Sequence, residues 1–466
     1  MKRLGLAAAA ACTLAWTAPA FAAADAADLA AIRNDISSLR HDYETKIKDL
    51  EGRLKKAEAD AASARAAAAK ANVSANAAVT SAQTAQAAAQ QVAEAAPAVA
   101  PTPPASNNAF NPGIAAALNG FYAAASRDPD KQRILGFAAG GDSRPVPRGF
   151  SLGESEVSFA ANIDPELTGF LDISFDRDNQ PNVEEAYIRT TNLGGGFTVK
   201  AGRFLSGIAY LNERHAHDWS FSDAPLPYRA FLNSQYGDDG VQLRWLAPTN
   251  IFLEFGAEWF RGDAYPAAGA AHGGEGTMTA FVHSGSDIND SSSWLAALSY
   301  LHTRAGNRET DNATFTGADH FTGNDDIGIA SLVYKWSPGG NPTVRNLVLS
   351  GEFFYGREKG MFDGVPISEN RNGWYVQGVY QFMPQWSFGL RYAQLDLGHV
   401  PLALTGSALD DFGRDPRAET ALLEYDTSEF GRIRLQYTHD QSDLKPDDEV
   451  LLQYTVIFGP HGAHRY

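Results

Sequence analysis

Two histidines near the middle of the chain are the residues best suited to metal chemistry. His215 and His217 flank Ala216, and the carboxylates of Glu213 and Asp218 lie beside them. Imidazoles and carboxylates together can hold Zn²⁺. An extended segment would turn both imidazoles to one face, but a complete site needs a third or fourth ligand from elsewhere in the chain. His215 and His217 are therefore weak metal candidates, and the alternative is that they line or pack a loop.

Charged side chains also recur at positions that alternate with apolar ones, as Arg432 and Arg434 alternate with Ile433 and Leu435. Such alternation gives a strand one apolar and one polar face. If the polar faces surround water, these charges would set a field that selects among ions. The alternative for any one of them is a solvated wall position without a selective role. The candidates are Arg244, Arg391, Arg432, Arg434, Glu154, Glu156, Asp172, Glu352 and Glu424.

Catalytic chemistry is not indicated. The single cysteine, Cys12, lies in the first apolar stretch, which excludes thiolate metal sites and disulfides from the rest of the chain. A hydrolase would need serine and histidine placed together, and the surroundings of Ser155, Ser158 and His439 show no such constellation. The sequence predicts neither an enzyme nor a cofactor.

The elements that would position these residues are strands. After Asn111 the apolar period becomes two, and glycine and aromatic residues become frequent. Sixteen strands are predicted, at 113–126, 150–163, 167–176, 183–192, 197–202, 240–247, 251–260, 277–283, 293–303, 326–336, 346–358, 372–382, 386–395, 419–427, 431–439 and 449–458. The predicted fold is an all-β transmembrane antiparallel barrel of about 16 strands, preceded by an N-terminal α-helical coiled coil. A soluble β-sandwich is the alternative.

The connections between these strands favour the barrel. Tight turns follow the even-numbered strands, whereas longer acidic links follow most odd-numbered ones, at 127–149, 203–239, 261–276, 304–325, 359–371 and 396–418. Short periplasmic turns opposite long extracellular loops are typical of outer-membrane barrels. The link at 203–239 is the longest, and Arg214, His215, His217 and Asp218 within it are predicted to form a constriction loop.

The first hundred residues have a different character. Lys2 and Arg3 precede an apolar run, and Ala20-Phe21-Ala22 offers a cleavage site, so residues 1–22 are predicted to be a secretory signal peptide. Residues 23–95 carry an alanine-rich heptad seam typical of a coiled coil, and an alanine-rich disordered linker is the alternative. Proline-rich residues 96–109 would form a linker to the barrel at 110–466.

The charge balance is acidic. The 466 residues carry 55 acidic against 38 basic side chains, a formal net charge of −17. This balance argues against nucleic-acid binding, because few cations are available to neutralise phosphates. Only five lysines lie beyond residue 100, too few for a basic ladder that captures phosphate. Acidic loops concentrate cations at a channel mouth, so a modest cation preference is expected.

These features resemble a trimeric bacterial outer-membrane porin with an N-terminal periplasmic coiled coil, the architecture of phosphate-selective porins. Ala201-Gly202-Arg203-Phe204, which leads into the longest link, resembles the porin segment that enters the constriction loop. The chain is also similar to proteobacterial outer-membrane proteins labelled zinc-regulated receptors, through Phe110-Asn111-Pro112, the segment 148–156 and the segment 459–464.

The resemblance implies passive diffusion of small hydrophilic solutes or ions across the bacterial outer membrane, with the coiled coil in the periplasm. The implied partners are two further copies of the chain, outer-membrane lipid and, through the coiled coil, the cell wall. The alternatives are a receptor or transporter for a metal or metal complex, and a structural tether between the outer membrane and the cell wall. A receptor with a plug is typically a barrel of about 22 strands, more than the sixteen predicted.

Overall fold

The computed structural model describes residues 112–175, 179–268, 276–312, 314–398 and 400–459, together with seven helical positions between 37 and 55. The chain separates into two compact units, Met1–Ser106 and Asn107–Tyr466. In the first unit, Arg40 Nε donates to Glu44 Oε1 at 2.9 Å, one helical turn away. The predicted signal peptide, the linker and most of the predicted coiled coil lie outside the described residues.

The second unit is a closed antiparallel barrel. Its strands are β1 (Gly113–Ala125), β2 (Gly149–Ser151), β3 (Glu156–Asn162), β4 (Leu167–Phe175), β5 (Pro181–Thr190), β6 (Phe197–Leu205), β7 (Gly237–Leu246), β8 (Phe252–Phe260), β9 (Thr277–Asn289), β10 (Ser292–Asp311), β11 (Ala318–Trp336), β12 (Asn346–Phe362), β13 (Val365–Met383), β14 (Trp386–Asp396), β15 (Arg417–Ser428), β16 (Gly431–Asp440) and β17 (Asp447–Phe458). Strand β1 pairs with β17, which closes the wall and removes its edges.

The wall has sixteen positions, because β2 and β3 share one of them. Both pair with β1, at its two ends, and residues 152–155 between them leave the ladder. Ser155 Oγ replaces the missing backbone partner by accepting the Asn119 N–H at 2.9 Å. Gly153 has a φ of +55°, and a Cβ there would lie 2.3 Å from the Phe121 ring, so the break requires glycine. The predicted sixteen-strand barrel is confirmed.

The two faces of the wall differ as the alternation predicts. Large apolar side chains are exposed on the outer face, among them Leu298, Leu390, Leu435 and Leu452, whereas the inward positions beside them are polar and buried, as at Arg391, Arg434 and Gln453. An apolar exterior around a polar interior is the pattern of a membrane barrel. Among the described residues, no helix is long and apolar enough to cross a membrane.

The strands are unequal in length, which corrects two predicted loops. Strands β10–β13 have 17 to 20 residues each, whereas β3–β8 have 7 to 10. The link predicted at 304–325 is reduced to 312–317, and that at 359–371 becomes a two-residue turn at 363–364. Both segments stay paired far beyond the roughly 25 Å that an apolar membrane band requires. Their polar composition suggested loops, but ladder hydrogen bonds extend them as strands.

The link between β6 and β7, residues 206–236, enters the barrel; it is called the interior loop below. It contains one short helix, α1 (Leu226–Leu232), which ends at Asn233 in the left-handed region. Every residue of α1 is buried. The loop packs against inward apolar side chains of β8–β14, including Phe260, Leu301, Phe354 and Tyr375. The fold therefore places this segment across the lumen.

Candidate functional site

The interior loop is fastened to wall strands on several sides of the lumen. Its backbone N–H groups and side chains donate to inward residues of β8, β10, β12, β16 and β17. These contacts join Gly207 N to Glu258 Oε1 (3.0 Å), Ala209 N to Ser299 Oγ (3.0 Å), Tyr210 N to Glu352 Oε1 (2.7 Å), Ser222 N to Gln436 Oε1 (2.9 Å) and Ser222 Oγ to Gln453 Oε1 (2.7 Å). The loop is therefore held by hydrogen bonds, and it narrows the lumen.

Glu352 of β12 is the most heavily used of these anchors. Its Oε1 accepts from Tyr210 N (2.7 Å) and Ser331 Oγ (2.5 Å), and its Oε2 accepts from the hydroxyls of Tyr228 (2.5 Å) and Tyr375 (2.8 Å). Four donors satisfy this buried carboxylate without a cation. Glu352 therefore holds the loop to the β11–β13 side of the wall.

Three of the four predicted lumen arginines bind carboxylates. Arg391 donates to Asp223 Oδ1 of the interior loop at 2.6 Å and to its carbonyl oxygen at 2.8 Å. Arg434 binds Glu424 on the wall and donates to the carbonyl oxygen of Trp219 at 2.7 Å. Both arginines are buried, and both contact the interior loop.

The third predicted lumen arginine that binds a carboxylate is Arg244. It binds Glu213 of the interior loop and donates to Glu254 Oε1 at 3.2 Å. Glu213, which the sequence placed beside the histidines, thus faces Arg244 and also lies 3.8 Å from Lys200 Nζ. Arg432 differs, because its Nε and one terminal nitrogen are buried without a hydrogen-bond partner in the described ranges of the chain.

On the side of the lumen opposite Glu352, His215 meets a cluster of carboxylates from β3, β4 and β5. Its Nδ1 lies 3.1 Å from Glu156 Oε2, 3.9 Å from Asp172 Oδ2 and 3.5 Å from Glu184 Oε2. One ligand atom from each of these four residues lies within 4.8 Å of the others. These four residues are called the His215 cluster below.

A bulge in β5 explains why two consecutive glutamates point toward His215. Asp172 pairs with Glu185 and Ile173 pairs with Val183, so Glu184 is an extra residue without a register partner. A bulge interrupts the alternation and can turn neighbouring side chains to one face. Glu184 therefore faces His215 Nδ1, and Glu185 Oε2 lies 3.2 Å from His215 Nε2.

The remaining predicted loop residues surround this cluster. His217 is buried with its Nδ1 3.1 Å from Glu156 Oε1, and Asp218 Oδ1 lies 3.5 Å from His217 Nε2. The segment forms a 3-10 turn at Ala216–Asp218 instead of extending, so the two imidazoles do not share one flat face. Arg214 stacks over the Tyr210 ring at 4.6 Å.

Negative charge dominates this side of the lumen. Burial alone would lower the pKa of His215, but the charges of Glu156 and Glu184, and hydrogen bonds to them, raise it well above its ordinary value. Exposed Glu154, in the break between β2 and β3, is close enough to interact electrostatically with Glu156 and Glu184. Within the described residues, no lysine or arginine forms an ion pair with the carboxylates around His215.

Sequence reasoning found His215, Glu156 and Asp172 separately but missed Glu184 and Glu185. Strict alternation permits only one of two consecutive residues to face inward. The only signal was that Glu184 and Glu185 are adjacent within the strand predicted at 183–192. Alternation would place one of these two glutamates on the apolar outer face.

The chain was compared with known proteins. No known family profile matches it. An uncharacterized protein of Aquifex aeolicus (strain VF5) is 29% identical over 344 residues, which cover 68% of this chain and 70% of the relative. Solved structures with a similar barrel include the trimer form of OmpT, an outer-membrane protein of Vibrio cholerae (TM-score 0.49, 8% identity), which covers 75% of this chain and 99% of that one. The outer-membrane channel DcaP of Acinetobacter baumannii (TM-score 0.48, 10% identity) covers 75% of this chain and 97% of that one.

Proposed function

We propose that the chain forms an outer-membrane channel through which small hydrophilic solutes and ions diffuse. The observation that carries this proposal is the closed wall with an apolar exterior, a polar interior and one interior loop that brings charged groups into the lumen. The field across a narrowed section is what selects ions in such channels. No bond-breaking step is needed for this function.

The orientation follows from the links. Those at the end of the wall that carries both barrel termini are short, such as 290–291, 384–385 and 429–430. The links at the other end include 126–148, 206–236 and 397–416. Short links on the periplasmic side and long ones outside are the rule in outer-membrane barrels, which supports the proposal that the predicted coiled coil at 23–95 is periplasmic.

We further propose a modest cation preference. The inward guanidinium groups of Arg244, Arg391 and Arg434 each bind a carboxylate, which reduces their effect on a passing ion. Among the described residues, the carboxylates around His215 form ion pairs only with imidazoles. The excess charge at the narrowed section is therefore negative, which attracts cations and repels anions.

Two proposals concern assembly. We propose a homotrimer, supported by the alanine seam predicted in residues 23–95, which needs partner helices. The cell-wall tether rests on that same segment, most of which lies outside the described residues. The tether remains a hypothesis beside the channel.

Planar-bilayer recording of the refolded protein tests the channel. We expect stepwise conductance and a reversal potential of the sign given by cation preference in a salt gradient. The preference should weaken as salt rises, because charges are screened beyond about 10 Å at 0.1 M. Absence of conductance from protein that shows heat-modifiable migration would reject the channel, and a reversal potential of opposite sign would reject the cation preference alone.

A further inference from the structure

We propose that Glu156, Asp172, Glu184 and His215 bind a divalent transition-metal cation inside the barrel. The site joins three neighbouring wall strands to the interior loop: β3 supplies Glu156, β4 supplies Asp172, β5 supplies Glu184, and the loop supplies His215. The ligand set therefore exists only when the loop is folded into the lumen.

Asp172 gives the strongest indication of a ligand. Its side chain is 0% exposed, and within the part of the chain that the structure describes neither carboxylate oxygen has a hydrogen-bond partner. Burying a carboxylate that accepts no hydrogen bond is costly, so native structures compensate such a group. His215 Nδ1 lies 3.9 Å from Asp172 Oδ2, beyond hydrogen-bond distance. Asp172 Oδ2 lies among the ligand atoms of the other three residues. A cation bound between them would supply the missing partner.

The separations suit a small cation. With metal–nitrogen and metal–oxygen distances of about 2.0–2.2 Å, neighbouring ligand atoms of a tetrahedral site lie about 3.4 Å apart. Here the His215 Nδ1 atom lies 3.1, 3.5 and 3.9 Å from the oxygens of Glu156, Glu184 and Asp172. These three distances lie within about 0.5 Å of the tetrahedral spacing, and all ligand atoms of the four residues lie within 4.8 Å of one another.

The surrounding contacts orient the ligands. The second ring nitrogen of His215, Nε2, lies 3.2 Å from Glu185 Oε2, and Glu185 Oε1 accepts from the Leu205 N–H at 3.0 Å. A ligating histidine commonly donates its other N–H to a carboxylate that is itself fixed, which selects the tautomer. On the other side, His217 Nδ1 lies 3.1 Å from the second oxygen of Glu156. Glu185 and His217 are thus positioning residues for the site.

The donor types indicate the class of metal. One imidazole with three carboxylates suits first-row divalent ions such as Zn²⁺, whereas Mg²⁺ prefers oxygen ligands and retains several waters. Four carboxylates lie around His215, so even two protonated histidines would leave negative charge uncompensated. A divalent cation balances that charge, and protonation of His215 alone is the competing explanation that the experiment separates.

Zn²⁺ binding by the refolded full chain in detergent tests the proposal, after chelator treatment and with Mg²⁺ as a comparison. We expect one Zn²⁺ per chain, held at least 10-fold more tightly than Mg²⁺. Asp172→Asn and Glu184→Gln should each weaken Zn²⁺ binding by 10-fold or more. His439→Gln is the matched control, because His439 Nδ1 also lies beside an aspartate, 2.8 Å from Asp448 Oδ1, but outside the His215 cluster. This control should bind as the unaltered protein does.

Heat-modifiable migration of each variant verifies that its barrel is folded. Two ligand variants are used because substitution of the fully buried Asp172 could disturb the fold. Glu184 is partly exposed at a bulge, so its substitution disturbs packing least. Zn²⁺ binding that is absent in the folded chain, or unchanged in both ligand variants, would overturn the site and favour protonated His215. Binding does not depend on conduction: a chain that binds Zn²⁺ without conducting would reject the proposed channel and keep the metal site.

Discussion

Glu352 and Asp172 are two buried carboxylates on opposite sides of the same interior loop, and their surroundings differ completely. Glu352 accepts four hydrogen bonds, three of them from tyrosine and serine hydroxyls. Asp172 accepts none from the residues that the structure describes. The first carboxylate is satisfied by the fold itself, whereas the second requires something that the described residues do not supply. One side of the loop is thus an anchor, and the other carries the proposed metal site.

The wall strands also differ between the Glu352 side and the Asp172 side of the interior loop. The long strands β10–β13 bring Leu301, Ile329, Phe354 and Tyr375 into the apolar core beneath the loop. The short strands β3–β5 contribute only partly buried Tyr187 at the edge of that core, among the described residues. Packing holds the loop on the long side and leaves its charged face toward the short side, where polar ligands can gather.

Removal of the Glu352 carboxylate, which fastens the interior loop to the wall, should have the largest effect. Glu352→Ala leaves the hydroxyls of Tyr228 and Tyr375 and the N–H of Tyr210 without their acceptor, at about 1–3 kcal/mol for each buried donor. We expect the loop to detach and the single-channel conductance to rise and fluctuate. Glu309→Ala is the control, because Glu309 is an exposed glutamate on β10. Equal conductance in both variants would show that Glu352 does not fasten the loop.

Substitution at Asp172 should have a smaller effect. It should stabilise the folded protein, whereas Glu352→Ala removes stabilising hydrogen bonds. In metal-free protein, Asp172→Asn removes a buried carboxylate that accepts no hydrogen bond from the described residues and lies among other carboxylates, so we expect the free energy of unfolding to rise by about 1–3 kcal/mol. The measurement is the midpoint temperature of heat-modifiable migration, which should rise in this variant. The control is Glu185→Gln, which weakens existing hydrogen bonds to His215 and the Leu205 N–H and should bring no increase. A lower midpoint for Asp172→Asn would mean that the carboxylate is already compensated.

The anchor and the cluster also differ in how far the sequence predicted them. Alternation assigns Glu352, Asp172 and Arg434 to the inner face of the wall, because period two follows directly from strand geometry. It could not place Glu184 and Glu185 together, because a bulge breaks that period. The four donors to Glu352 come from positions as far apart as Tyr210 and Tyr375, and no local pattern specifies which side chains a folded loop brings together.

The smallest expected effect concerns two arginines that sequence alternation treats as equivalent. Arg434 holds the loop through the Trp219 carbonyl oxygen at 2.7 Å and also binds Glu424. Arg432 has two buried nitrogens without hydrogen-bond partners among the described residues, so these nitrogens do not fasten the loop. The anchoring role therefore extends to Arg434 but not to Arg432.

Arg432→Gln should thus increase cation preference modestly while the conductance stays near that of the unaltered protein, because a positive charge leaves the wall and the loop keeps its contacts. Arg434→Gln should change both, since it releases Trp219 and leaves Glu424 without its guanidinium partner. Reversal potentials in a salt gradient, combined with single-channel conductance, separate the two outcomes. The measurements are most sensitive at low salt, where screening is weak. Identical behaviour of the two variants would mean that wall charge alone, without loop anchoring, accounts for both arginines.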